Sequence, residues 1–143
     1  MLHNRHGKLP WKQLFQPAIH LARDGFQVNV DLADAIAQYV PGFIVDDPLF
    51  AEVYAPNGTA LKEGDMCYRP TLANTLEILA EGGADAFYSG KLAQGIVDTT
   101  SKSGGIMTLD DLAGYEALIR EPVNITYRLV VLTMDTRSRR TAC

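Results

Sequence analysis

The sequence predicts an α+β chain, mainly helical, with its helices first and its strands near the C-terminus. Three observations predict it. Apolar residues recur at helical spacing through the stretches around Leu14–Ala22, Leu32–Val40, Leu72–Leu79 and Leu92–Val97. Each stretch runs into glycine, at Gly25, Gly42, Gly82-Gly83 and Gly104-Gly105, where a helix stop needs a residue tolerant of left-handed backbone. After Tyr115 the character changes, and "ALIREPVNITYRLVVLTM" is β-branched and alternating. No strand–helix–strand alternation and no internal repeat interrupts this order.

Taken in order, Leu14, Ala18, Leu21 and Ala22 predict one apolar helix face beyond Pro10, widened by Phe15 and Ile19. Pro17 lies inside that pattern and predicts two short pieces or a kink. Asn29 or Asp31 caps a second helix carrying Leu32, Ala33, Ile36, Ala37 and Val40, ended by Pro41-Gly42. A short helix follows Pro48, and "PNG" at 56–58 predicts a tight turn between two short extended pieces. "PTLANTLEILAEGG" is the clearest helix, with Pro70 in its first turn and Leu72, Leu76 and Leu79 on one face. "ADAFYSG" reads as a turn-helix, and "KLAQGIVDTTSKSGG" as an amphipathic helix with Leu92, Ile96 and Val97 inward. Thr108 caps "LDDL", where Asp110 and Asp111 suit the positive end of the helix dipole.

With 143 residues, 47% of them apolar and 21% charged, the chain has one domain's worth of ordinary globular sequence rather than a disordered tail. A net charge of −4 argues against nucleic acid as a partner; the one basic cluster is Arg137, Arg139 and Arg140. Cys67 and Cys143 are too few for a zinc site and leave the redox compartment open. The longest apolar run, "LVVL" at 129–132, is far short of a membrane span. "MLHNRHGK" has no apolar core, so it is not a signal peptide; the expectation is a cytosolic chain or one whose natural beginning lies elsewhere.

Candidate chemistry is sparse. His3 and His6 have H-x-x-H spacing, but no third ligand is placed by spacing, so no metal site is expected, and His20 reads as a surface or semi-buried histidine. Thr99, Thr100 and Ser101 offer hydroxyls without a base nearby in sequence. Gly82-Gly83 and Gly104-Gly105 read as helix terminators rather than oxyanion donors, and no phosphate-binding glycine motif occurs. Asp46-Asp47 and Asp110-Asp111 read as loop and cap residues. Asn57-Gly58-Thr59 and Asn124-Ile125-Thr126 are both N-x-[ST] glycosylation acceptors, which matter only on a secretory route.

The succession "HGKLPWKQLFQPAIHLARDGFQV", "LEILAEGGADAFYSGKLAQGIVD" and "GGIMTLDDLAGYEALIREPVNITYR" resembles the large-subunit region of γ-glutamyltransferases (glutathione hydrolases). The resemblance runs from about Leu2 to Arg128, so residues 1–128 are expected to be part of that large-subunit domain and 129–143 a divergent tail. It implies a fragment of an N-terminal-nucleophile hydrolase with α-β-β-α layers. In such enzymes a precursor cleaves itself, and the new N-terminal threonine of the small subunit attacks the γ-glutamyl amide of glutathione, its own amine serving as base. The glutamyl group then passes to water or to an amino acid, and a large-subunit arginine holds the substrate carboxylate.

None of those functional residues maps onto this sequence. The arginine-bearing segment is expected upstream, so Arg5 and Arg23 do not take its role, and the processing threonine is expected downstream. Thr99-Thr100 lacks the Thr/Ser-His continuation that marks it. The expectation is therefore no catalytic, substrate-binding or metal-binding residue and no cofactor in this chain. Its partner would be the remainder of the precursor, including the small subunit, with glutathione bound only by the complete enzyme. Localisation by resemblance is extracellular-facing or secretory. Arg137 to Arg140 also fits a dibasic processing site. Leu72, Leu76, Leu79, Ile96 and Val97 are expected to leave apolar surface uncovered, making the isolated chain marginally stable or associating. The alternative is a non-catalytic helical module that binds or regulates a protein partner. A stand-alone hydrolase using His3, His6 or His20 is a third reading.

Overall fold

A computed structural model describes residues 2–40, 42, 46–127 and 130–134. The expected basic cluster and dibasic site at Arg137–Arg140, the helix stop at Pro41, and Cys143 lie outside the described residues. The element order is α1 (Leu2–His6), α2 (Trp11–Asp24), β1 (Phe26–Gln27), α3 (Val30–Tyr39), α4 (Pro48–Tyr54), a 3-10 turn (Pro56–Gly58), β2 (Met66–Cys67) and α5 (Pro70–Gly82). Then come α6 (Asp85–Tyr88), α7 (Lys91–Lys102), α8 (Leu109–Ala113), β3 (Val123–Tyr127) and β4 (Val130–Met134). None of the described helices is long and apolar enough to cross a membrane.

Helices α2 and α5 form the frame. They run antiparallel, because Trp11 and Lys12 at the start of α2 meet the end of α5, while Ala22 and Arg23 meet its beginning. Small residues permit the close approach: Ala22 is buried on α2 and Ala73 and Ala80 on α5, with Ile19 buried beside them. The Trp11 Nε1–H donates to the Leu79 carbonyl (2.9 Å), an acceptor already used by the Gly83 N–H. Arg23 spans to α5, donating to both carboxylate oxygens of Glu77 (2.5 and 3.0 Å) and to Asn74 Oδ1 (2.9 Å). Lys12 closes the other end on Glu81 at 2.6 Å.

Beyond this pair the chain closes on itself through a short ladder. β1 and β2 are antiparallel, Phe26 opposite Cys67 and Gln27 opposite Met66. The Val28 N–H to Asp65 carbonyl bond and the Gly64 N–H to Val28 carbonyl bond, both 2.9 Å, continue the pairing past the ladder. Val28, Ile36, Ala55 and Cys67 form the buried cluster behind it, flanked by Phe26, Leu32, Val53 and Leu61. Gly25 makes the turn between α2 and β1 with φ +89°, and a Cβ there would sit 2.7 Å from the Tyr68 ring, so both backbone and space demand glycine. A second, smaller assembly joins α6, α7 and α8, with Ala93 buried and the Tyr88 and Tyr115 rings stacked at 5.2 Å.

The caps follow the sequence. Asn29, not Asp31, caps α3, its Oδ1 accepting from the Leu32 N–H at 3.0 Å, and Asp47 caps α4. Thr108 and Asp111 make a reciprocal capping box at α8.

Four expectations are corrected. Of the two alternatives at Pro17, the split into two pieces does not occur: α2 is one helix from Trp11 to Asp24. An interior proline removes one hydrogen bond and crowds the preceding turn at about 3 kcal/mol; the bonds from Trp11 and Arg23 to α5 grip the helix on either side of it. Leu14, Ala18 and Leu21 are exposed; the inward arc is Trp11, Phe15, Ile19 and Ala22, one residue further round the helix. Residues 117–122 form no strand, and β3 begins only at Val123, after Pro122, which has no N–H to give a ladder. The "PNG" turn follows the helix α4 rather than an extended piece. β3 and β4 pair as an antiparallel hairpin, Asn124 opposite Thr133.

The uncovered apolar surface also lies elsewhere than expected. Leu72, Leu76, Leu79, Ile96 and Val97 are half-buried, shielded by neighbouring helices, whereas Leu2, Leu21, Leu49, Ile106 and Leu118 stand open, Ile106 at 95%. Among the described residues the only large side chains fully buried are Val28 and Cys67. Stability therefore rests on few contacts. Ile36→Ala is expected to lower unfolding stability by about 2–5 kcal/mol and Leu14→Ala by no more than about 0.5 kcal/mol, read as the shift in urea midpoint.

The seam also sets the response to acid. Hydrogen bonding to Arg23 holds the Glu77 carboxyl below its usual value of 4.5, and Thr108 holds Asp111 below 3.8. Depressed acids stabilise the fold above their unfolded pKa, and that contribution is lost as pH falls through the folded value. Lys12 is raised above 10.5, chiefly by its bond to Glu81, and its contribution is lost at the alkaline end. Urea midpoints measured from about pH 5 to about pH 3 should fall in the parent chain and fall less steeply in Glu77→Gln.

Candidate functional site

Nucleophilic catalysis needs a hydroxyl with a base in reach and a third group orienting that base. The hydroxyls on α7 are engaged otherwise. Thr99 Oγ1 donates to the Gly95 carbonyl (2.8 Å), Thr100 Oγ1 to Ile96 (2.7 Å) and Ser103 Oγ to Thr99 (3.3 Å), the back-bonding pattern of helix-interior hydroxyls. No imidazole adjoins them. His3 is engaged elsewhere, its Nε2 bonded to the Leu9 carbonyl at 2.9 Å and its ring edge-on to Trp11 at 5.3 Å. His20 faces Asp24 one turn on, at 3.4 Å, with both side chains exposed. His6 ends α1 in solvent.

The described residues contain no group of three His, Cys, Asp or Glu side chains able to hold a metal. Cys67 is buried on β2, and burial pushes its thiol up, away from the reactive thiolate, with Arg69 opposing the shift. Arg23 is committed to Glu77 and Asn74. Gly83 and Gly104, with positive φ, stand at the ends of α5 and α7. Asp47 and Asp111 accept backbone N–H groups as caps. Asn57 is exposed in the 3-10 turn, and Asn124 is exposed in β3.

What the fold does assemble is an open groove of about 490 Å³ between α4, β2 and the start of α5. Leu49, Val53, Met66, Tyr68 and Leu72 make its walls mostly apolar, with Glu52, Arg69 and Thr71 as polar members. The Arg69 backbone N–H donates to the Ala22 carbonyl (2.8 Å), which anchors the residue where α5 begins. Its Nε is buried without a hydrogen-bond partner among the described residues. Sequence reading missed both the groove and the α2–α5 seam. Their residues lie 47 positions apart at Ala22 and Arg69 and 68 apart at Trp11 and Leu79, beyond any local periodicity.

The architecture places the chain among N-terminal-nucleophile hydrolase structures. The crystal structure of Helicobacter pylori γ-glutamyltranspeptidase superposes over 94% of this chain with TM-score 0.83 and 29% identity, this chain covering 39% of that one. The γ-glutamyltranspeptidase family model matches residues 1–140, and the chain belongs to that family. It is 45% identical over 121 residues to Glutathione hydrolase 3 of Arabidopsis thaliana, covering 85% of this chain and 19% of that protein. A glutathione hydrolase proenzyme of Arthroderma benhamiae is 41% identical over 137 residues, covering 94% of this chain and 24% of the relative. The chain thus spans about a fifth to a quarter of the length of these relatives.

The unpaired Arg69 donor gives a sharp expectation. A buried unsatisfied group costs about 1–3 kcal/mol, and replacement by an apolar group of similar shape removes that cost. Arg69→Met should leave the urea midpoint unchanged or raise it, whereas Arg23→Met, which strands Glu77 and Asn74, should lower it.

Proposed function

We propose that this chain is part of the large subunit of a γ-glutamyltransferase and supplies framework rather than chemistry. The complete enzyme would cleave the γ-glutamyl amide of glutathione and transfer the glutamyl group to water or an amino acid. The threonine that attacks, and the arginine that holds the substrate carboxylate, would come from other parts of the protein. The family match across residues 1–140 supports the assignment to that enzyme class. The observation that carries the framework role is the engagement of the Thr99 and Thr100 hydroxyls with helix carbonyls, while His3 and His20 have other partners.

In this reading the β3–β4 hairpin joins the β layers of an α-β-β-α core and the helices form an outer layer. The small subunit covers apolar residues such as Ile106 and Leu118. The complete enzyme faces the cell exterior or a secretory compartment.

Two assays test the proposal. The purified chain should release no p-nitroaniline from γ-glutamyl-p-nitroanilide above buffer. Glutathione hydrolase 3 of Arabidopsis thaliana carrying this chain's residues over the matched stretch should still mature and hydrolyse the same substrate. Turnover by the isolated chain, abolished when His3, His6 and His20 are replaced, would overturn the framework role. A chimera that folds but neither matures nor turns over would sink the assignment to that enzyme. A sharp, cooperative unfolding of the isolated chain as a monomer would count for a free-standing module instead.

A further inference from the structure

Two glycan acceptor sequences are present, and their surroundings differ. Asn57 occupies the tip of the 3-10 turn between α4 and the segment leading to β2, with φ 58° and ψ 26°. It is the only non-glycine among the described residues with positive φ, a conformation that asparagine accepts more readily than most residues. Its side chain is exposed and has no hydrogen-bond partner among the described residues. Gly58 follows with φ +77°, and nothing lies within 4 Å of where its Cβ would be. Thr59, the hydroxyl residue of the sequon, is exposed and extended, its N–H turned back to the Pro56 carbonyl at 3.2 Å. Acceptor amide and hydroxyl therefore stand on a turn open to solvent.

Asn124 is set differently. It is the second residue of β3, paired in register opposite Thr133, and its sequon threonine, Thr126, lies opposite Val131. A bulky, hydrated oligosaccharide on that ladder would hold one face of the hairpin in water, against a role in a packed β layer.

We infer that Asn57 is the N-glycan acceptor of this chain and that Asn124 is not. The inference rests on the secretory reading given above. The donor would be a lipid-diphosphate-linked oligosaccharide. Asn57 Nδ2 forms a bond to the anomeric carbon of the sugar, the bond from that carbon to the diphosphate oxygen breaks, Nδ2 loses one proton, and the lipid diphosphate leaves. No electron transfer is involved. The glycan would rise from the turn beside Pro56 at the rim of the groove, keeping that rim in solvent.

The test is translation of the full chain behind a cleavable signal in the presence of microsomes, with added protease marking the translocated fraction. The protected chain should gain one oligosaccharide, removed by peptide-N-glycosidase to leave Asp at position 57, as read by tandem mass spectrometry. Asn57→Gln and Thr59→Ala should abolish the gain, while Asn124→Gln and Thr126→Ala should leave it intact. Because the turn is exposed, the glycosidase should act without prior denaturation. A protected chain with no glycan, or a glycan that survives Asn57→Gln, would overturn the inference. The secretory reading fails separately, if the protein recovered from its own cells proves to lie outside any membrane-enclosed or extracellular fraction.

Discussion

The antiparallel seam of α2 and α5 is the constraint on which the rest depends. Two helices approach closely only where side chains are small, and Ala22, Ala73 and Ala80 supply that approach. Close approach alone does not set the sliding register of one helix along another. Here the polar ends set it, with Trp11 on the Leu79 carbonyl at one end and Arg23 forked onto Glu77 at the other. With the register fixed, the Arg69 N–H meets the Ala22 carbonyl, and β1 falls beside β2. The ladder is two residues long and would not persist by itself. It exists because the seam delivers its strands, and the Val28–Cys67 cluster closes behind it.

Local signals were legible wherever the chain answers to its immediate neighbours. The caps at Asn29, Asp47 and Thr108, Pro70 in the first turn of α5, and the glycine stops after α2, α5 and α7 can all be read within a few residues. Illegible features answer to distant partners. Whether Leu14 or Phe15 points inward depends on where α5 sits, since both belong to one broad apolar surface of α2. Pro17 reads as a breaker until the contacts gripping both sides of it are known. The start of β3 at Val123 depends on β4 being opposite it, and residues 117–122, which end at Pro122, have no partner in the ladder. The groove has no sequence signature, since its walls come from three elements joined through the seam.

The distribution of apolar residues completes the same physical account. Small domains bury a modest share of their surface, and what they bury must be well chosen. This chain hides alanines and a few β-branched residues while leaving Leu2, Leu21, Leu49, Ile106 and Leu118 in water. Scattered exposed leucines are ordinary, but Ile106, Met107, Leu109, Leu118 and Ile119 crowd one short segment between α7 and β3. That segment leads into the β3–β4 hairpin. Apolar surface is thus concentrated on that segment, while the facing sides of α2 and α5 are covered.

Hydroxyl-rich α7 spends its hydroxyl donors on its own backbone. A threonine inside a helix has its Oγ one turn from an acceptor carbonyl, and donating to that acceptor occupies the hydroxyl proton that a general base would have to take. Thr99 and Thr100 make this bond in succession on a helix whose buried residue, Ala93, packs it into the assembly with α6 and α8. A nucleophilic threonine needs the opposite arrangement: a free terminus, an amine as its own base and no helix behind it. Helix packing and that chemistry make incompatible demands on one residue type. Thr99 and Thr100, bonded to the carbonyls one turn back, meet the first of those demands.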